Sequence, residues 1–239
     1  MSKHQILTSA DHGDLRVHAG AGAEYGDNVM ACFTVPIEFR RVQGHFPIVF
    51  RRDLESGKIS ALALFGFDNG ENLFLDGDRW DAGYRPLSLA IQPFLIGQRM
   101  AEDDDAQVHL DTSHPRIATG GEGIRVFDEL GKPTPYLEGI AEKLGDLDHG
   151  YRQSEAFFAD LERHALLEPF TLEVALDDGS KNSLVGFHTI DEDRLAQLDG
   201  EALQSLHAQG HLQPIFMALA SLSQFAQLVA RKNARVSGG

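Results

Sequence analysis

Short apolar runs, each closed by Gly, Pro, Asn or Asp, fill the first half of the chain: NVMACFTVP (28–36), FPIVFRR (46–52), ISALALFGF (59–67) and ENLFLD (71–76). Runs of this kind predict short strands. AQVHLD (106–111) predicts another, with Val108 and Leu110 on one face and Gln107, His109 and Asp111 on the other. PLSLAIQPFLIG (86–97) reads equally as helix or buried strand. From residue 133 the period changes. Thr134 and Pro135 read as a helix N-cap and first helical residue, and Tyr136, Leu137, Ile140, Ala141 and Leu144 form one apolar stripe. Gly145 and Gly150 are expected to break that helix, with Phe157, Phe158 and Leu161 on a second one. FTLEVALDDGSKNSLVGFHTI (170–190) predicts a hairpin turning at Asp178-Gly179. Two short helices capped by Asp191 and Asp199 follow. A last helix is expected over 214–233, with Ile215, Leu219, Leu222 and Val229 in its stripe, Phe225 and Leu228 beside it, and Lys232 and Arg235 near its end.

Strands and helices do not alternate regularly, so the predicted class is α+β rather than a doubly wound parallel sheet: a strand-rich N-terminal half, a helical segment, a β-hairpin and C-terminal helices. Residues 1–27 lack periodicity and are expected to form a flexible arm. Their GAGAEYG spaces its glycines unlike a dinucleotide fingerprint. Residues 28–239 are expected to form a single domain, with a candidate sub-boundary at 119–133.

Composition narrows the function classes. The chain has 239 residues, 42% of them hydrophobic, and a formal net charge of −15. Such an acidic surface disfavours nucleic acid as a partner. One cysteine, Cys32, excludes an intramolecular disulfide and reads as a small buried hydrophobe, and the N-terminal residues contain no apolar run of secretory length. The most apolar stretch, 215–229, is interrupted by Ser221, Ser223, Gln224 and Gln227 and is expected to be too short and too polar to span a bilayer. These features predict a cytoplasmic protein.

Three groupings could carry chemistry. His109 and Asp111 form a His-x-Asp on one strand face, and His188 lies on a later strand; together they have the composition of a 2-His-1-carboxylate iron site. Fe(II) with 2-oxoglutarate is the cofactor set of that alternative, with Arg194 pairing the cosubstrate carboxylate. The favoured account gives the stretch no metal and treats it as the wet face of a strand. A second grouping is basic: Arg40, Arg41, Arg51 and Arg52, then Arg79 and Arg85, either an anion site or local neutralisation of an acidic surface. The third is ENLFLDGDRWDAGYRP (71–86), which holds Trp80 and Tyr84. Aromatics on a loop with one fixed cation would suit a carboxylate-bearing ligand, so Trp80, Tyr84, Arg51 and Arg85 are the candidate ligand-binding residues. His164 reads as a core-edge histidine.

The order of the motifs resembles the SapC-like family of bacterial proteins. The resemblance runs through HFPIVF (45–50), ENLFLDGDRWDAGYRP, HPRI (114–117), VFDELGKPTPYL (126–137), LLEPFTLEV, GFHTIDEDRLAQLDGEAL and LHAQGHLQPIFMALASLSQF. It implies association with surface-layer biology, and with the modification or uptake of a peptide or small molecule. It supplies no catalytic residues. The expectation is an accessory or binding protein, non-enzymatic, with a peptide or small-molecule ligand and a protein partner in a surface or uptake pathway.

Overall fold

A computed structural model describes residues 3–97 and 107–237. In chain order the elements are β1 (His4–Ile6), α1 (Ser9–His12), β2 (Arg16–Val17), β3 (Ala31–Thr34), α2 (Phe39–Val42), β4 (Ile48–Arg52), β5 (Ile59–Leu64), β6 (Leu75–Asp76), β7 (Arg79–Trp80), α3 (Leu87–Ala90), β8 (Phe94–Ile96), β9 (Val108–Asp111), β10 (Ile124–Arg125), α4 (Pro135–Arg163), β11 (Leu167–Ala175), β12 (Lys181–Ile190), α5 (Glu192–Ala196), α6 (Gly200–Ala208), α7 (Leu212–Ser221) and α8 (Gln224–Ser237). The fold is mixed α+β with antiparallel sheets.

The chain divides into two compact units rather than one. The first comprises residues 1–28, 75–81 and 87–149. It holds a three-stranded sheet in the order β1-β9-β8 and the β2–β10 and β6–β7 pairs. Its core joins Val17, Phe94, Leu110, Val126, Leu137, Ile140 and Leu144. The expected arm is built into this unit from residue 3 onward; its first two residues lie outside the described ones. β1 pairs with β9, β2 pairs with β10, and Val17 is fully buried. The ambiguous 86–97 stretch proves to be both alternatives in turn, a helix turn (α3) and then a strand (β8).

The second unit comprises residues 29–74, 82–86 and 150–239. Its five-stranded sheet runs β11-β12-β4-β5-β3, each neighbouring pair antiparallel. Phe46 meets Phe65 and Phe74 edge-on, and Phe39 meets Phe50 and Phe157 in the same way, so the apolar faces of β4 and β5 close over aromatic rings. ENLFLD is a strand only at Leu75–Asp76; Asn72 Oδ1 accepts from Phe74 N and turns the preceding residues into a loop.

Two helix boundaries differ from expectation. α4 runs through Gly145 and Gly150 as one helix of 29 residues. Glycine costs a helix only about 1 kcal/mol, and at Gly150 it is required by packing: a Cβ there would stand 2.7 Å from Val35 Cγ2 and 2.8 Å from Ile37 Cδ1. Thr134 precedes this helix, but its hydroxyl donates to the Arg125 and Val126 carbonyls instead of capping. The expected single C-terminal helix is two. Ser221 Oγ donates to Ala218 O at 2.6 Å and accepts from Ile48 N at 2.8 Å, while Ser223 Oγ donates to Ala220 O, and the chain turns between α7 and α8. By length and composition alone, 212–237 is the one run among the described residues apolar enough to cross a membrane, and the turn between α7 and α8 lies within it. Asp191 and Asp199 cap α5 and α6 as predicted, accepting from Arg194 N and Ala202 N at 2.8 Å.

Candidate functional site

The three residues of the iron alternative fall on β9 and β12. His109 and Asp111 share a face of β9, opposite Ile6 and His4 on β1. The His109 imidazole lies over the backbone of Gly97, where any Cβ would overlap the ring. Asp111 Oδ1 accepts from Ser113 Oγ at 2.6 Å and Ser113 N at 2.9 Å, and the Ser113 hydroxyl is the main reason its carboxyl sits below the ordinary range. His188 stands opposite Phe50 and Pro169 in the other unit's sheet. Among the described residues no group of three or more His, Cys, Asp or Glu side chains is arranged to hold a metal ion, these three included. Arg194 Nε donates to the His164 carbonyl at 3.1 Å.

The candidate ligand-binding residues are distributed between the units. Trp80 is half-buried on β7, opposite Leu75 in the first unit. Arg79 beside it bonds to Asp76 at 2.9 Å. In the second unit Arg51 is exposed on β4, and Arg52 pairs with Glu162 at 2.7 Å. Cys32, expected to be buried, is half-exposed on β3. Tyr84 and Arg85 lie in the 82–86 segment of the second unit, half-buried.

Tyr84 is the centre of a polar cluster. Its hydroxyl donates to Glu38 Oε1 at 2.7 Å, and Thr34 Oγ1 donates to Glu38 Oε2 at 2.9 Å. Glu38 is 3% exposed. It owes this position to Pro36, which starts a helical turn that continues into α2. Arg41 is three residues further on, one turn along, and its guanidinium carbon lies 5.7 Å from the centre of the Tyr84 ring. The Arg41 side chain is exposed and makes no ion pair among the described residues. His45 lies one turn beyond and packs closely on the segment carrying Tyr84: a Cβ on Gly83 would stand 2.8 Å from His45 Cε1. Burial first, then the Glu38 carboxylate, push the Tyr84 phenol far above its ordinary value; the Arg41 guanidinium beside the phenol oxygen pulls the other way and is outweighed, so Tyr84 stays a donor at every physiological pH. The arrangement presents a cation beside an aromatic ring at the surface, with the ring's hydroxyl bonded to a buried carboxylate. Sequence reasoning singled out Tyr84 and placed Arg41 among the arginines, but missed Glu38. The Glu38–Arg41 spacing beside a Pro-initiated turn was the available signal.

A second cluster, in the first unit, was also missed. Arg116 of HPRI is 2% exposed. Its Nη2 donates to Asp27 Oδ1 at 2.6 Å and Oδ2 at 2.7 Å, and its Nη1 donates to the His18 and Gly20 carbonyls at 2.7 and 2.8 Å. Asp27, fully buried, also accepts from Gly22 N. The Arg116 guanidinium carbon is 5.7 Å from the Tyr25 ring centre, and Tyr25 stacks on His18 at 4.7 Å. His114 Nε2 lies 3.2 Å from Gln92 Oε1, and burial, then the Arg116 charge, hold its pKa below the ordinary histidine value. The glycine-rich GAGAEYG segment is therefore the wrapping of a buried arginine.

A family model described as SapC matches residues 7–228. No curated protein matches the chain, and no solved structure does.

Proposed function

The chain belongs to the SapC family, and from that premise we propose that it is a cytoplasmic accessory or binding protein, non-enzymatic, of a bacterial surface or uptake pathway, whose ligand carries a carboxylate, such as an amino acid or a peptide end. The observation that carries this reading is the exposed Arg41 guanidinium beside the Tyr84 ring. A guanidinium offers a planar fork of donors to a carboxylate, and its place beside an aromatic ring limits the conformations it must give up on binding. Glu38 keeps the ring in place from the buried side. Arg41 takes the role that sequence reasoning gave to Arg51 or Arg85. Trp80 belongs to the other unit.

The test uses a mixed pool of tetrapeptides with free C-terminal carboxylates and the same pool as C-terminal amides, equilibrated with the full chain and read by mass spectrometry. Free acids are retained and amides are not. Arg41→Ala removes about 1.5–3 kcal/mol, roughly a ten- to hundred-fold loss of affinity. Equal behaviour of the two pools, retention of neither, or unchanged retention by Arg41→Ala contradicts the reading.

A further inference from the structure

We propose that Asn69 is a site of spontaneous deamidation, and that its conversion to isoaspartate loosens the seating of α8 on the 66–74 loop. Asp68, Asn69, Gly70 and Glu71 form a tight turn closed by Glu71 N donating to Asp68 O at 3.0 Å, with Gly70 at φ +77° in its third position. Asn69 and Gly70 are both exposed. Among the described residues neither the Asn69 carboxamide nor the Gly70 amide makes a hydrogen bond. The electrophile can therefore rotate freely, and the nucleophile, the amide of a residue without a side chain, is open to it.

Three Asp–Gly pairs show what a protected version looks like. Asp76 before Gly77 is bonded by Arg79, Asp178 before Gly179 accepts from Ser180 N and Oγ, and Asp199 before Gly200 accepts from Ala202 N. Each of these side chains is held, and each is a carboxylate, a poorer electrophile than a carboxamide.

The chemistry needs only water. The Gly70 backbone nitrogen, its proton lost to base, attacks Asn69 Cγ. The Cγ–Nδ2 bond breaks, ammonia leaves with a proton, and a five-membered succinimide remains. Water then opens the ring at either carbonyl. Attack at Cγ leaves aspartate at position 69 with the main chain unchanged. Attack at the backbone carbonyl carbon leaves isoaspartate, with the main chain rerouted through Cβ and Cγ. The net change is carboxamide plus water to carboxylate plus ammonium.

The turn is also a clamp. Asp68 Oδ2 and Glu71 Oε1 hold Lys232 Nζ of α8 at 2.8 and 2.6 Å, with the lysine side chain 13% exposed. Beside them Arg231 lies 4.4 Å over the Phe74 ring, and Arg235 Nη2 donates to Asn72 O at 2.7 Å. Burial alone would lower the Lys232 pKa, but its bonds to Asp68 and Glu71 outweigh that and raise it. Isoaspartate adds a backbone carbon between the two carboxylates, so both can no longer meet Lys232 and close the turn.

The experiment incubates the full native chain at 37 °C under mildly alkaline conditions and follows it by peptide mapping, enzymatic isoaspartate detection and hydrogen exchange. Conversion is expected at Asn69 ahead of Asn28, Asn72, Asn182 and Asn233, faster at higher pH, with faster exchange over 224–237 in the isoaspartate fraction. Asn69→Gln should abolish conversion while leaving the initial exchange of α8 unchanged. Native protein that keeps Asn69 intact while the denatured chain converts overturns the site. Conversion without any change in α8 exchange overturns the clamp.

Discussion

Arg116 and Arg41 have similar neighbours and opposite fates. Each guanidinium carbon lies 5.7 Å from the centre of a tyrosine ring, and each cluster contains a buried carboxylate, Asp27 or Glu38. In the first unit the carboxylate takes the arginine itself, and two carbonyls take its other terminal nitrogen. The charge is enclosed, and its role is to hold the 18–27 segment. In the second unit the carboxylate takes the tyrosine hydroxyl, and the arginine remains at the surface. Residue type does not decide whether an arginine serves the fold or a ligand. That depends on how many of its donors the chain itself occupies and whether water reaches the rest.

The contrast breaks most readily at Arg116. Arg116→Ala leaves Asp27 buried without its cation and is expected to cost about 3–5 kcal/mol. Urea denaturation would show it, and a loss below about 1 kcal/mol would contradict the enclosed-pair account. Tyr84→Phe removes the donor that Glu38 Oε1 has in Tyr84 and should cost about 1–3 kcal/mol in the same assay. Arg41→Ala, at an exposed position, should change stability by only about 0–1 kcal/mol while abolishing retention of free-acid peptides. The smallest effect is a pH slope. The folded-state pKa of His114 is depressed, so the folded state prefers the neutral ring. That stability is fully present above the unfolded value of about 6.5 and is lost as pH falls through it toward the folded pKa. Thermal melts of wild type against His114→Gln across that window should show the wild type losing more; parallel curves would remove His114 from the account.

Much of the fold was legible because its signals are local. The apolar runs at 28–36, 46–52 and 59–67 became β3, β4 and β5, and the Asp191 and Asp199 caps are where their sequence places them. The errors arose where a distant contact outweighed a local rule. Gly150 does not break α4, because Val35 and Ile37 occupy the space a side chain would need. The C-terminal helix is interrupted at Ser221, whose hydroxyl bonds to Ile48 far away in sequence. Residues 3–27 looked structureless because their anchor is Arg116, distant in the chain, and polar wrapping leaves no periodicity. At the candidate site Tyr84 was visible as a loop aromatic. Its partner Glu38 was not, since a glutamate on a short surface helix ordinarily faces water.

Arginine modification by phenylglyoxal on the native chain, mapped by peptide mass spectrometry with and without the free-acid tetrapeptide pool, tests the contrast most directly. The expected result is modification of Arg41, protection of Arg41 by the free acids but not by the amides, and no reaction at Arg116 until the chain is denatured. Reaction at Arg116 in the folded protein, or an Arg41 that the free acids leave unprotected, would contradict it.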